Sequence, residues 1–233
     1  MSFDPVMPPY NASDPSARFL SASCLDFLLI ELVPMAYRVT NELGAAAREQ
    51  EGKALLLQEG TNGSSTNGAA ATDGTGATGG GGAGAKTGTE TAVMDEQEER
   101  EAVFWRLERI GYRVGQGLVE RFSRDRPRFN DTLDVIKFLC KDLWTIVFRK
   151  QVDNLKTNHR GVYVLTDNAF RPFSRMSAEV GSQAVIRAQP FLWFPCGIVR
   201  GALAALGITA TVHAETTELP GAVFQIKTIS AKP

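Results

Sequence analysis

The chain has 233 residues, 43% of them hydrophobic and 22% charged, which is enough apolar material for one domain with a sizeable core. Its formal net charge of −1 gives no global attraction to nucleic acid, so no nucleic-acid partner is expected. Cys24, Cys140 and Cys196 are odd in number, far apart and set in apolar stretches without a Cys-x-x-Cys pair. That pattern argues against both a disulfide framework and a zinc site.

The opening stretch MSFDPVMPPYNASDPSA has no basic segment followed by an apolar one, so no secretory signal is expected and the chain reads as cytosolic. Residues 1–15 read as a flexible tail, and 16–233 as a single domain. A first helix is expected over 16–43, with apolar residues at Leu25, Leu28, Leu32, Met35 and Val39. Phe27, Leu29, Ile30 and Val33 widen this stripe nearly all the way round, so the helix must be covered on more than one side, by its own domain or by a partner chain. Pro34 should bend or interrupt it, because proline removes a backbone donor. The apolar run Cys24 to Met35 carries Asp26 and Glu31 and falls short of the ~20 residues needed to cross a bilayer.

Beyond Gly44 the composition shifts, and 60–88 holds eleven of the chain's 22 glycines with almost no large apolar residue. A disordered Gly-rich insert is expected over about 45–92. A second helix follows, from about Met94 to Arg124, with acids in its opening turns and arginines at its end, as the helix dipole favours. Val103, Leu107, Ile110, Val114, Leu118 and Phe122 mark its buried stripe, while Gly111, Gly115 and Gly117 predict close approach of another helix, from this chain or from a dimer partner.

A third helix is expected over Thr132 to Lys150, then strands at 151–157 and 161–166 around a turn at Asn158 to Gly161. Residues 170–188 read as loop. Pro190 opens a helix running through Leu206, in which Gly197, Gly201, Ala202, Ala204 and Ala205 predict tight packing. Alternation over Ile208–Glu215, a Pro220-Gly221 turn and a strand over Ala222–Ile229 predict a second hairpin. The sum is an α/β (α+β) sandwich, a helical layer on an antiparallel sheet in the order α-α-α-β-β-α-β-β.

Chemistry-bearing patterns are few. GGGGAGAKT at 79–87 resembles a phosphate loop but has Ala85 before Lys86 and no flanking strand and helix. Gly115-Gln116-Gly117 lies within a helix and lacks the third glycine of a dinucleotide fingerprint. His159 falls in a turn and His213 at an outward strand position, neither placed beside a nucleophile, and the pairs Glu215/Glu218 and Asp131/Asp134 suit solvation and capping. The arginines at 106, 109, 113, 121, 124, 126 and 128 alternate with acids as on a solvated face, with weak contact to anionic headgroups as the alternative use. No catalytic constellation, metal or cofactor is expected.

Four runs carry more information: LDFLLIELVPMAYR (25–38), ERIGYRVGQGLVERF (108–122), TLDVIKFLCKDLWTIVFRKQVDNLKTNHRGVYVLTDNAF (132–170) and FLWFPCGIVRGALAALGI (191–208). Together, and in this order, they closely resemble the subunit-6 branch of the Bet-three family of small TRAPP (transport protein particle) subunits. The resemblance implies a helical layer on a four-stranded antiparallel sheet and a non-catalytic subunit of a vesicle-tethering complex. It also implies pairing through the first two helices with a Bet-three-type subunit, contact with other subunits, and indirect support of nucleotide exchange on Rab GTPases in ER-to-Golgi transport. Location would be cytoplasmic, peripheral to cis-Golgi and ER-derived membranes through the complex. On that implication the partner interface comprises Leu25, Leu28, Leu29, Leu32 and Met35, with Gly111, Val114, Gly115 and Leu118 on the second helix. In the family's Bet-three member a cysteine shortly after the second helix carries a palmitoyl chain; alignment on Phe129-Asn130-Asp131-Thr132 puts Arg126 there, so acylation does not carry over.

Two readings compete. A small-ligand module of the same fold would have an apolar cavity lined by Leu139, Leu143, Trp144 and Ile198. An enzyme with Cys140 or Cys196 as nucleophile would need a lowered thiol pKa and a nearby base.

Overall fold

The computed structural model describes residues 21–61, 96–158, 160–176 and 182–229. Six α-helices and four strands are present among them: α1 (Ala22–Thr61), α2 (Glu96–Phe122), α3 (Thr132–Phe138), α4 (Trp144–Phe148), β1 (Asn154–Asn158), β2 (Val162–Asp167), α5 (Ser182–Ala188), α6 (Trp193–Ala205), β3 (Ala210–Glu215) and β4 (Ala222–Thr228). The strands form one antiparallel sheet in the order β1-β2-β4-β3. This is the expected sandwich of helices on a four-stranded antiparallel sheet.

Register explains which face of the sheet is buried. Leu155, Leu165, Phe224 and Ala214 align across all four strands, and Leu165 and Phe224 are fully covered. One residue along, the row Lys156, Val164, Gln225 and His213 lies on the other face, since strand side chains alternate. Trp144 of α4 stands edge-on to Phe224 of β4 with centroids 5.1 Å apart and also meets Phe148 and Phe170, so rings fill the space between helices and sheet. The indole Nε1–H donates to Asp167 Oδ2 at 2.9 Å, and Lys150 Nζ lies 2.7 Å from Oδ1, which satisfies the carboxylate at the end of β2.

The expected hairpin turn at Asn158 to Gly161 is present. Gly161 adopts a φ of +74°, a conformation that only glycine takes up cheaply, and its N–H donates to Asn158 O at 3.1 Å. His159 lies outside the described residues. The second connection passes through Pro220-Gly221, as expected, with a cis Leu219–Pro220 bond.

Four expectations need correction. First, the helix does not end near Gly44: α1 runs unbroken to Thr61, because Ala45–Ala47 and the charged residues after them are good helix formers and each of its three glycines costs only about 1 kcal/mol. The expected insert is therefore helical over 45–61, and 62–92 lies outside the described residues, as does the 1–15 tail. Second, Pro34 does not interrupt α1; the carbonyl it leaves without a donor is that of Ile30, an exposed residue. Third, the 132–150 helix is divided between α3 and α4 by a π-helical turn, Leu139–Leu143, and Cys140 O accepts from Val152 N at 3.1 Å. Fourth, 170–188 is not plain loop but holds a 3-10 turn, Arg171–Phe173, and α5. A further 3-10 turn, Gln189–Leu192, carries Pro190 at its start and leads into α6, which ends at Ala205 close to the expected stop.

Candidate partner interface

Among the described residues, a closely packed seam joins α2 to α6. A Cβ built at Gly111 would overlap Phe194 O, one at Gly115 would overlap Ile198 O, and in return Cβ atoms at Gly197 and Gly201 would overlap Glu108 O and Tyr112 O. Four glycines thus let the two backbones touch along about two turns, and the close approach predicted from both helices is intramolecular. Gly111 and Gly115 are buried in this seam and cannot meet another chain, which corrects their expected place in a partner interface. Gly117 faces open space and permits no approach at all.

Glu108 is buried on the same seam. Both its oxygens accept from Arg200 of α6, with Nη2 at 2.8 Å from Oε2, and the guanidinium also lies 4.5 Å from the Tyr112 ring centroid. A bidentate pair of this kind fixes helix register as well as charge.

In contrast, the described residues cover α1 on one side only. Leu29, Leu32, Val33, Ala36 and Thr40 point into the domain, at spacings of three and four residues that trace one helix face. Leu29 and Leu32, each 7% exposed, belong to the core, so their expected interface role is corrected as well. Leu25 and, on α2, Leu118 are half-buried and pack against the core. The other expected positions stand free: Leu28 is 57% exposed, Met35 and Val114 each 39%. Phe27, at 68%, joins them with Ile30 on α1 and Ile110 and Phe122 on α2. Ile110, Val114 and Phe122 belong to the expected buried stripe of α2 but are exposed; the α6 seam instead uses the face marked by Gly111 and Gly115. Those glycines were the signal that would have oriented the helix correctly.

Polar contacts hold α1 in place. Arg106 Nε of α2 donates to Thr40 Oγ1 at 3.3 Å, and the Thr40 hydroxyl donates to Ala36 O at 2.8 Å. Nearer its start, Asp26 accepts from Arg171 Nε at 2.9 Å, with Arg175 Nη2 3.7 Å away. The hydrogen bond from Arg171, reinforced by the charges of both arginines, holds the Asp26 carboxyl below its ordinary pKa despite partial desolvation.

Neither competing chemistry is supported by the interior. Burial pushes the Cys140 and Cys196 thiols up to about 12, with Glu108 adding to the effect at Cys196. That is opposite in sign to nucleophile activation. Leu139, Leu143, Trp144 and Ile198 are packed among the core residues, with rings around Trp144 where a ligand would sit. Arg126, the position aligned with an acylated cysteine, instead pairs with Asp142 at 2.6 Å and lies over the Phe138 ring. His213 is exposed in β3. Among the described residues no cluster of His, Cys, Asp and Glu could hold a metal ion, and no helix is long and apolar enough to cross a membrane.

The sequence pattern of the family described as transport protein particle (TRAPP) component matches residues 25–229. Trafficking protein particle complex subunit 6b of Danio rerio is 55% identical over 121 residues, covering 52% of this chain and 76% of that protein. Subunit 6A of Homo sapiens is 51% identical over 120 residues, covering 52% and 74%. A crystal structure of subunit 3 from Naegleria fowleri covalently bound to palmitic acid aligns with a TM-score of 0.47 at 14% identity, over 56% of this chain and 82% of that one.

Proposed function

The chain belongs to the TRAPP component family and is a homologue of its subunit 6, and from that premise we propose that it is a non-catalytic scaffold subunit that pairs through the outer face of α1 and α2 with a Bet-three-type subunit. The observation that carries this reading is the group of large apolar side chains on those two helices that the domain leaves uncovered: Phe27, Leu28, Ile30 and Met35 on one, Ile110, Val114 and Phe122 on the other. Scattered exposed apolar residues are ordinary, but a concentration on two neighbouring helices marks an interaction face. A standard interface buries about 1,600 Å² in total, and permanent complexes have more apolar ones, which suits this set.

Pairing would hold the chain in a tethering complex that supports nucleotide exchange on a Rab GTPase during ER-to-Golgi transport. The chain would then sit on the cytoplasmic side and reach cis-Golgi and ER-derived membranes through the complex. Exchange chemistry would belong to the assembly.

Co-expression with a Bet-three-type subunit, followed by light-scattering mass determination of the eluted peak, tests the reading. A one-to-one heterodimer that the double variant Leu28→Asp/Met35→Asp disrupts, with the variant still a folded monomer, is the expected result. A wild-type chain that stays monomeric in the presence of that partner overturns it.

A further inference from the structure

The loop from α2 to α3 builds a second surface, beyond the C-terminal end of α2 and away from the Arg106–Thr40 crossing with α1. An open cleft of about 760 Å³ lies there. It is lined by Val135 of α3, by Leu206 and Ile208 just after α6, and by Arg124, Arg126 and Arg128 of the α2–α3 loop. Asp131 also lines it, but that carboxylate caps α3 by accepting from Asp134 N at 2.7 Å. Arg126 is engaged by Asp142 and Phe138. Arg124 and Arg128 are exposed and have no hydrogen-bond or ionic partner among the described residues, and Asp125, also exposed, does not line the cleft.

With Arg126 paired to Asp142, the unpaired Arg124 and Arg128 face the single lining carboxylate of Asp131, which leaves the cleft positive by one charge in a chain whose formal net charge is −1. We propose that the cleft docks an acidic segment of another protein chain, with an apolar side chain seated on Val135, Leu206 and Ile208 and flanking carboxylates against Arg124 and Arg128. Guanidinium groups match carboxylates in a planar, two-bond geometry, and unpaired ones lose least by accepting such a partner. The apolar lining residues Val135, Leu206 and Ile208 distinguish this occupant from a bare anion, which would gain nothing from them. This docking surface begins where the α1–α2 face ends, just past Phe122.

The test uses the full chain in an anisotropy titration with a fluorescently labelled short peptide in which a central leucine is flanked by glutamates. Its controls are the same peptide with lysines for glutamates, and vesicles of phosphatidylcholine with added phosphatidylserine. Saturable binding of the acidic peptide alone is expected, weakening as salt screens the arginines. The charge-reversed double variant Arg124→Glu/Arg128→Glu should lose roughly tenfold or more in affinity with an unchanged thermal midpoint. If that variant fails to fold, Arg124→Gln/Arg128→Gln gives the same reading with a smaller drop. Absence of binding, equal binding of the lysine peptide, binding unaffected by either double variant, or binding to vesicles only would each overturn the proposal.

Discussion

The α2–α6 seam and the α1 helix both carry many apolar residues, yet the described residues close over the first and leave one face of the second bare. Along the seam, glycines on both helices remove the side chains that would hold the backbones apart, and a bidentate Glu108–Arg200 pair locks the result. On α1 one face is packed, two polar tethers near Asp26 and Thr40 hold it, and the remaining Phe, Leu, Ile and Met side chains face outward. Apolar content therefore tells how much surface must be covered. Small residues tell which helix the chain itself will use to cover it.

That contrast can be broken most sharply at the seam. Gly197→Leu places a side chain where the Glu108 carbonyl already lies, so it should cost about 3 kcal/mol or more, or prevent folding; urea denaturation measures this. Leu32→Asp puts a charge on the buried face of α1 and should cost about 2–3 kcal/mol by the same method, whereas Leu28→Asp, four residues earlier on the exposed face, should change stability by less than about 0.5 kcal/mol while abolishing partner pairing. Gly117→Ala runs the other way: with open space around it the new methyl clashes with nothing, and a gain of up to about 1 kcal/mol is expected.

The smallest effect concerns the tether at Asp26. Its folded-state pKa lies below the ordinary 3.8, so the contact stabilises α1 fully above that value and is lost as pH falls through the depressed one. Amide exchange at the start of α1 should accelerate as pH falls through this acid window in the wild type, after correction for intrinsic exchange. In Asp26→Asn it should be fast already at neutral pH and show no such step.

Much of this architecture was legible in the sequence, for reasons that differ from element to element. Alternation over 208–215, the Gly161 turn and the Pro220-Gly221 turn fixed both hairpins because strand pairing here is local and its punctuation strong. Reciprocal glycines in two separate segments announced the seam. The outward face of α1 was harder: a stripe that is apolar nearly all round does not say which residues are left over once the domain has closed, so Leu28 and Leu32 looked alike. The extension of α1 past Gly44 was hidden because the glycine-rich composition further on masked a run of good helix formers. Contacts such as Asp26 with Arg171, or Arg106 with Thr40, join residues far apart in the chain and leave no local trace.

The π-helical turn at Leu139–Leu143 gives the 132–148 segment a property that neither composition nor pattern expresses. An α-helix advances about 100° per residue, so a turn holding one residue more than its neighbours acts as a phase shifter between the parts on either side. Upstream, Val135 and Ile136 keep one heading; downstream, Trp144 takes another that reaches Phe224 of the sheet. A deletion of one residue within 139–143 could restore a continuous α-helix and satisfy every local rule, yet it would turn the two parts out of step with the layers they serve. In this segment residue count, rather than residue identity, is what the fold reads.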